Sequence, residues 1–467
     1  MTLPPLITDQ DVIEGYLTDA SNTRGHAEVL VRPRSTDEVA AILSHCQQRG
    51  IPVTVTAQRT ATTGAPVPEG GWLLSTEQLC ETFALDDVST GVLLGAHQEA
   101  VASAGQFFPP DPTSRHECSI GAAIACNASG ARSFRYGATR PWIEALTAVL
   151  PTGEIIEADR QTPIPADWPV PSWSEPSVKT AAGYVPTDNL LDLLIGQEGT
   201  LAVLTRARLR LLDAPTAVLS IFAFFPDDSA VVRFVDHARA SAVRARRTPA
   251  APGPLQPRAL EYFDANALAL ARTRAPDIPA EARAAVLIEV EHDGTPPYEA
   301  WLDALDESDA LIDDTIVAED TTGLKRLQAI RHAIPASVNE QVVRNGMPKV
   351  GTDFAVPDSA LEAILVAYRA ETLPHVCFGH IGDNHLHLNF LPRTADELAE
   401  ARARYKALAM QAVSMGGTVS AEHGIGKIKR GLLAEMVGPD VLAQFRALKR
   451  AVDPNWILGR GTMMAAP

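Results

Sequence analysis

The chain has 467 residues, long enough for two or more domains around a large core. A formal charge of −17 argues against nucleic acid or an anionic membrane surface as a partner, while 46% hydrophobic and 21% charged residues read as an ordinary globular protein. Five cysteines, at 46, 80, 118, 126 and 377, form no Cys-x-x-Cys pair, which predicts reduced thiols in a cytoplasmic protein and excludes a Cys-ligated iron–sulfur centre within this chain.

Residues 1–24 read as a short helical lead-in with neither a basic region nor a long apolar run, so no secretory signal is expected. Val29 to Arg32 reads as a strand. Ser35-Thr36-Asp37-Glu38 opens a helix as a capping box, Val39, Ile42 and Leu43 recur at helical spacing, and Gly50 closes it before a strand over Ile51 to Thr56. A Thr-, Gly- and Pro-rich loop follows to Gly71. Between Ser119 and Gly130 the small residues let the backbone approach something bulky. Segments 143–150 and 154–157 flank Pro151-Thr152-Gly153 as a hairpin, residues 159–180 read as a proline-rich surface excursion, and 201–212 is strand-like.

Past Pro215 the units lengthen. We expect a strand over 218–225, a helix over 228–241, a proline-rich linker over 248–258, a strand over 285–291, and helices over 298–308 and 321–345. Strands alternating with helices suggest a separate α+β domain. Helices over 394–415 and 425–452 bracket a Glu-His pair.

The segment Gly379-His380-Ile381-Gly382-Asp383-Asn384-His385-Leu386-His387-Leu388-Asn389, followed by Ser420-Ala421-Glu422-His423-Gly424, carries most of the chemistry. Strand alternation puts His385, His387 and Asn389 on one face, and His380 can fold back toward it. Two imidazoles and a carboxylate with an open side suit Zn²⁺, Mn²⁺ or Fe²⁺. His385 could be a ligand, lie behind the ligands, or be exposed. A bound divalent ion lowers the pKa of an attached oxygen by several units, and His423 then has the properties of a base.

These segments resemble the C-terminal signature of FAD-linked 2-hydroxyacid dehydrogenases, the group of D-lactate dehydrogenase (cytochrome), glycolate oxidase catalytic subunit and D-2-hydroxyglutarate dehydrogenase. The resemblance extends through Val31-Arg32-Pro33, Phe108-Pro109-Pro110-Asp111-Pro112, Asn127-Ala128-Ser129-Gly130 and Ile195-Gly196-Gln197-Glu198-Gly199-Thr200-Leu201 to Asp453-Pro454. It implies an α+β architecture. A vanillyl-alcohol-oxidase-type (PCMH-type) FAD-binding domain of two α/β subdomains spans 25–213, after the lead-in of 1–24. An α+β FAD-linked oxidase C-terminal domain with an antiparallel sheet spans 214–467. It further implies that His380, His387 and Glu422 bind a divalent metal, zinc or manganese, and that His423 is the base. Asn389 would sit near the substrate, while Arg331 and Lys349 would meet its carboxylate.

In such enzymes backbone amides of the loop after the second strand cradle the FAD pyrophosphate. Here that loop keeps Thr60, Thr63 and Gly64 and adds Arg59, but departs from the common Arg-Gly-Gly-Gly-Thr-Gly form. It contains no histidine, so FAD is expected to be non-covalent. Pro112, Ser119, Gly121, Asn127, Ser129, Gly130, Glu198, Gly199 and Thr200 complete the expected cofactor set. The implied reaction oxidises a small D-2-hydroxy acid, lactate- or glycolate-like, with hydride passing to flavin N5. Electrons would leave to a quinone, cytochrome c or an electron-transfer flavoprotein. Any membrane association would be peripheral, and a homodimer is left open. Two alternatives are an activity on D-2-hydroxyglutarate, weakened by Pro335 standing where those enzymes carry a threonine, and a non-catalytic flavin-binding subunit of a larger complex.

Overall fold

The computed structural model describes residues 3–248 and 251–466, so two residues of the expected lead-in, two of the proline-rich linker and the last residue lie outside it. A three-stranded parallel sheet, ordered Val29–Val31, Trp72–Ser75, Val53–Thr56, packs against the helix Thr36–Arg49 through Val39, Ile42 and Leu43. Ser35 caps that helix by accepting the Glu38 amide at 3.3 Å, and Gly50 ends it at φ 65°. Glu38 reaches back to the Arg34 amide at 2.7 Å, so the capping box closes one residue earlier than expected. The predicted hairpin is present as Ile143–Val149 against Ile155–Asp159, inside a four-stranded antiparallel sheet completed by Asp87–Ser89 and Val203–Leu209.

The second half is built on an eight-stranded antiparallel sheet. Its order is Ile316–Ala318, Ala217–Phe225, Ala284–His292, Pro257–Asp264, His375–His380, His385–Phe390, Val350–Gly351, with Phe354–Ala355 also on His385–Phe390. Both faces of its middle are covered. Along Ala217–Phe225, Leu219, Ile221, Ala223 and Phe225 pack with Phe234 and Trp301 of one helical layer. Phe222 and Phe224 face Leu268, Leu327 and Ile334 of the other. Burial on both faces explains why this strand reads as a continuous apolar run rather than an alternation.

The helices Asp228–Ser241 and Thr321–Asn345 match their predicted spans, each opened by an aspartate cap, Asp227 and Asp320. Two expectations change. The strand Pro257–Asp264 starts inside what reads as a linker. Its buried Arg258 and Glu261 break the apolar pattern that would have marked it. The expected helix over 425–452 begins at Arg430 and breaks at Gly438 (φ 78°) before Pro439, which has no amide to continue the ladder. Among the described residues no helix is long and apolar enough to cross a membrane.

Candidate metal and cofactor site

The site grows from the hairpin His375–His380 and His385–Phe390, whose register sets His380 opposite His385 and Phe378 opposite His387. The turn between them ends on Asn384 in the left-handed region (φ 52°). Three imidazoles therefore converge: ring centroids are 5.3 Å apart for His380 and His385, 4.4 Å for His385 and His387, and 5.7 Å for His380 and His387. Gly379 makes the room, because a Cβ there would lie 2.9 Å from His387 Cδ2.

Glu422 enters from the loop before the last helical segment. Its Oε2 lies 3.4 Å from His380 Nε2 and 3.7 Å from His385 Nδ1, and its Oε1 lies 3.4 Å from His387 Nε2. One atom from each of these four residues falls within 4.8 Å of all the others. The outer nitrogens are held. His387 Nδ1 donates to the Thr352 carbonyl at 2.9 Å and His380 Nδ1 to Glu261 Oε1 at 2.5 Å, which turns both Nε2 atoms inward. His385 Nε2 lies 2.9 Å from Asp353 Oδ1 without the alignment of a hydrogen bond, and its buried Nδ1 has no hydrogen-bond partner. An orphaned imidazole nitrogen facing two further imidazoles and a carboxylate is a donor set that fits a divalent transition metal. The expected trio of His380, His387 and Glu422 is brought together, and His385 joins it.

Electrostatics act on these donors in different directions. Burial works to raise the Glu422 carboxyl, yet Lys179 and His380 hold it well below the usual range. Lys179 Nζ is 3.0 Å from Glu422 Oε2 and its side chain is only 4% exposed. Burial, helped by Lys179, pushes His385 well below the ordinary imidazole value, so the neutral ring keeps one nitrogen lone pair free. Against burial, Glu261 lifts His380 to about 10.

His423 stacks on His387 at 5.5 Å. Its Nδ1 lies 3.5 Å from Asp353 Oδ2 and its Nε2 3.6 Å from Glu422 Oε1. Burial outweighs the pull of Asp353 and Glu422 and lowers its pKa, so the ring is neutral near pH 7. Asp353 organises the whole loop. It accepts the Glu422 amide at 3.2 Å, the His423 amide at 3.1 Å, Ser420 Oγ at 2.8 Å and Lys429 Nζ at 2.5 Å.

Arg331, on the helix Thr321–Asn345, points its half-exposed guanidinium at Glu261 Oε2, 3.5 Å away. Lys349 sits on an exposed rim, yet the protein around it desolvates its ammonium and lowers its pKa; among the described residues nothing pairs with it. Asn389 is buried and donates to the His387 carbonyl at 3.0 Å, tying down its own strand.

Most of the expected cofactor residues are spent on the scaffold. Arg59 (φ 59°) donates to the Ala57 carbonyl and pairs with Glu77 at 3.0 Å, over the Tyr16 ring. Gly64 donates its amide to Asp19, and Thr63 Oγ1 reaches the His423 carbonyl at 3.4 Å; Thr60, next to Arg59, is half-buried. Ser119 caps Ile120–Ala125, Asn127 accepts the Arg140 amide, and the Pro112 carbonyl accepts that of Arg115. A Cβ at Gly121 would meet Thr90 and one at Gly130 the Asp111 carbonyl, so both glycines permit close packing of chain on chain. Glu198 accepts the amides of Ile425 and Gly426, Gly199 (φ 70°) backs onto Val55, and Thr200 bonds Tyr184. Ser129 Oγ lies 3.4 Å from Glu422 Oε2, joining this segment to the histidine cluster. Polar atoms left over at the loop itself, buried Thr56 Oγ1 and Gln58 Oε1, have no partner, which fits a polar ligand lying along it.

Sequence reading missed Glu261, Asp353 and Lys179. Asp353 follows Lys349 by four residues, but a lone acid between two-residue strands carries no signal. Lys179 lies in the proline-rich excursion that reads as surface.

Comparison with known proteins identifies both halves of the chain. Residues 215–463 match the model of FAD linked oxidases, C-terminal domain, and residues 27–159 match an FAD binding domain. The chain is 27% identical to a D-lactate dehydrogenase of Anaerostipes hadrus, over 98% of this chain and 94% of that one. It is 27% identical to glycolate oxidase subunit GlcD of Bacillus subtilis, over 94% and 89%. It is 30% identical to the mitochondrial D-2-hydroxyglutarate dehydrogenase of Bos taurus, over 98% and 81%. In fold it resembles an alkyldihydroxyacetonephosphate synthase, with a TM-score of 0.70 at 16% identity over 97% of this chain and 81% of that one. The chain belongs to the FAD-linked oxidase family and is an FAD-linked oxidoreductase.

Proposed function

We propose that this protein is an FAD-dependent dehydrogenase that oxidises a D-2-hydroxy acid, lactate- or glycolate-like, to the 2-oxo acid and passes the electrons to an external acceptor. The observation that carries the reading is the convergence of His380, His385, His387 and Glu422 beside a neutral His423. Residues 25–213 would hold FAD non-covalently and 214–467 the substrate and a zinc or manganese ion. When bound, FAD supplies the acceptor for the hydride of the substrate's carbinol carbon. A divalent ion on the three histidines and Glu422 supplies the charge that makes a hydroxyl more acidic.

The chain's own groups do the rest. The Arg331 guanidinium engages the substrate carboxylate, a planar task suited to its fork, with Lys349 as a second cation. His423 takes the hydroxyl proton through Nε2, the nitrogen on the Glu422 side, while Asp353 faces Nδ1 and steadies the ring that becomes positive. A second reading is a substrate with two carboxylates, such as D-2-hydroxyglutarate, in which Arg331 meets one and Lys349, exposed and without an acidic partner among the described residues, meets the other. Absence of cysteine clusters leaves electron transfer to a partner such as a quinone, cytochrome c or an electron-transfer flavoprotein.

Anaerobic bleaching of the flavin spectrum tests the proposal. D-lactate, D-2-hydroxyglutarate, the L-isomers of these two and achiral glycolate are added in turn, with and without chelator. Bleaching by a D-acid that chelator abolishes is expected; no bleaching by any acid of the panel sinks the dehydrogenase reading.

A further inference from the structure

Glu261 stands between two groups that the reaction uses for different purposes. It comes from the strand Pro257–Asp264, in the middle of the large sheet, and its side chain is 8% exposed. One carboxylate oxygen, Oε1, accepts from His380 Nδ1 at 2.5 Å, and the other, Oε2, faces Arg331 Nη2 at 3.5 Å. The His380 ring is thereby fixed with Nε2 toward Glu422, 3.4 Å away. The two bonds use different oxygens, so one rigid carboxylate sets both the direction of a metal-ligand lone pair and the position of the guanidinium.

We propose that Glu261 is a positioning residue that couples the metal site to the substrate-carboxylate site, holding the His380 ring with Nε2 toward Glu422 and Arg331 at a fixed distance from it. The inference rests on the metal and carboxylate roles given above. A carboxylate behind a ligating histidine orients the ring and raises its basicity, and loss of such a group weakens metal affinity ~10–100-fold. The other oxygen faces Arg331, for which Glu261 is the acid with the largest electrostatic pull.

Two substitutions separate the two bonds. Gln at 261 keeps an oxygen that accepts from His380 Nδ1 but turns an NH₂ group toward Arg331, whereas Ala removes both partners. Flavin-loaded protein is stripped with chelator and titrated with Zn²⁺ against a chromophoric competitor, and KM and kcat for the reducing acid are then measured. Glu261→Ala is expected to weaken Zn²⁺ about 10–100-fold and to raise KM. Glu261→Gln is expected to hold Zn²⁺ within a few-fold of wild type while raising KM about 10-fold or more, as loss of a charge-assisted bond does. Wild-type Zn²⁺ affinity in Glu261→Ala, or an unchanged KM in Glu261→Gln, overturns the coupling. Should Glu261→Ala fail to fold, Glu261→Gln still decides through KM. If wild type itself takes up no Zn²⁺, the metal site rather than the bridge is what fails.

Discussion

The carboxylate of Glu198 accepts the backbone amide of Gly426 at 2.7 Å from 228 positions earlier in the chain, and that of Ile425 at 2.8 Å. Glu198 itself sits in the left-handed region (φ 53°), wedged under Gly424, where a Cβ would come within 2.9 Å of its carboxyl carbon. The loop that carries Glu422 and His423 is therefore anchored by a residue of the first half of the chain, beyond the segment 27–159 that matches the FAD binding domain. Glu198→Ala should lower kcat roughly 100-fold through displacement of that loop, with flavin content close to wild type. Flavin stoichiometry and turnover measured on the same sample check this; loss of flavin with full turnover on reconstitution would show a direct cofactor role instead.

The same anchor gives stability a pH dependence. Burial raises the Glu198 carboxyl from 4.5 to about 7, against the two amides it accepts. Because the folded pKa is the higher one, the folded state holds the proton more tightly. The stability this contributes is complete below pH 4.5 and lost as pH rises through about 7. The loss is on the order of 1–3 kcal/mol. Urea midpoints between pH 4.5 and 8 should show a component of this sign in wild type that is missing in Glu198→Gln.

Much of the centre was legible because its chemistry is local. His380, His385 and His387 lie within one hairpin, and two-residue alternation placed the last two on one face. Helix boundaries at Asp227 and Asp320 were equally readable, since a capping side chain acts within three residues. What stayed hidden depends on pairing across the chain. Glu261 acquires meaning only when its strand docks beside His375–His380, and Lys179 only when a proline-rich segment turns inward to Glu422. Residues of the expected cofactor set also gain partners that no local pattern announces, as Arg59 does with Glu77 and Glu198 with the Ile425 amide.

Arg331 offers a direct test of substrate recognition. Its pairing with Glu261 leaves the guanidinium half-exposed, so its fork has donors free for an incoming carboxylate. Arg331→Ala should reduce kcat/KM by about 10–100-fold, the worth of charge-assisted bonds. Arg331→Lys should recover only part of that, because a point charge lacks the bidentate geometry. Equal kcat/KM in wild type and Arg331→Ala would place the acid elsewhere.

Lys179 makes a prediction of opposite sign. Its ammonium shares Glu422 Oε2 with the position a metal would take, and two cations there repel. Lys179→Met, which keeps the length and loses the charge, should bind Zn²⁺ roughly 10-fold more tightly or better. Weaker Zn²⁺ binding would show that the ammonium is needed to hold Glu422 in place. Competition titration against a chromophoric chelator distinguishes the two.

The proton acceptor can be isolated from the groups that merely surround it. His423 Nε2 lies 3.6 Å from Glu422 Oε1, but the ring is 35% exposed while Glu422 is 10% exposed, so it is the histidine that a substrate can reach. Asn at 423 cannot accept a proton at neutral pH, yet its loop remains tied by the backbone amides that Asp353 accepts. His423→Asn should therefore lose about 10²–10⁴-fold in kcat, the usual range for a general base, with Zn²⁺ and flavin stoichiometry unchanged. Asp353→Asn should fare differently. It removes the charge that pairs with Lys429 and that faces the imidazolium, so it should cost both turnover and thermal stability. Full turnover in His423→Asn with both cofactors bound would move the base to another residue. Loss of metal along with turnover would instead identify His423 as a further ligand.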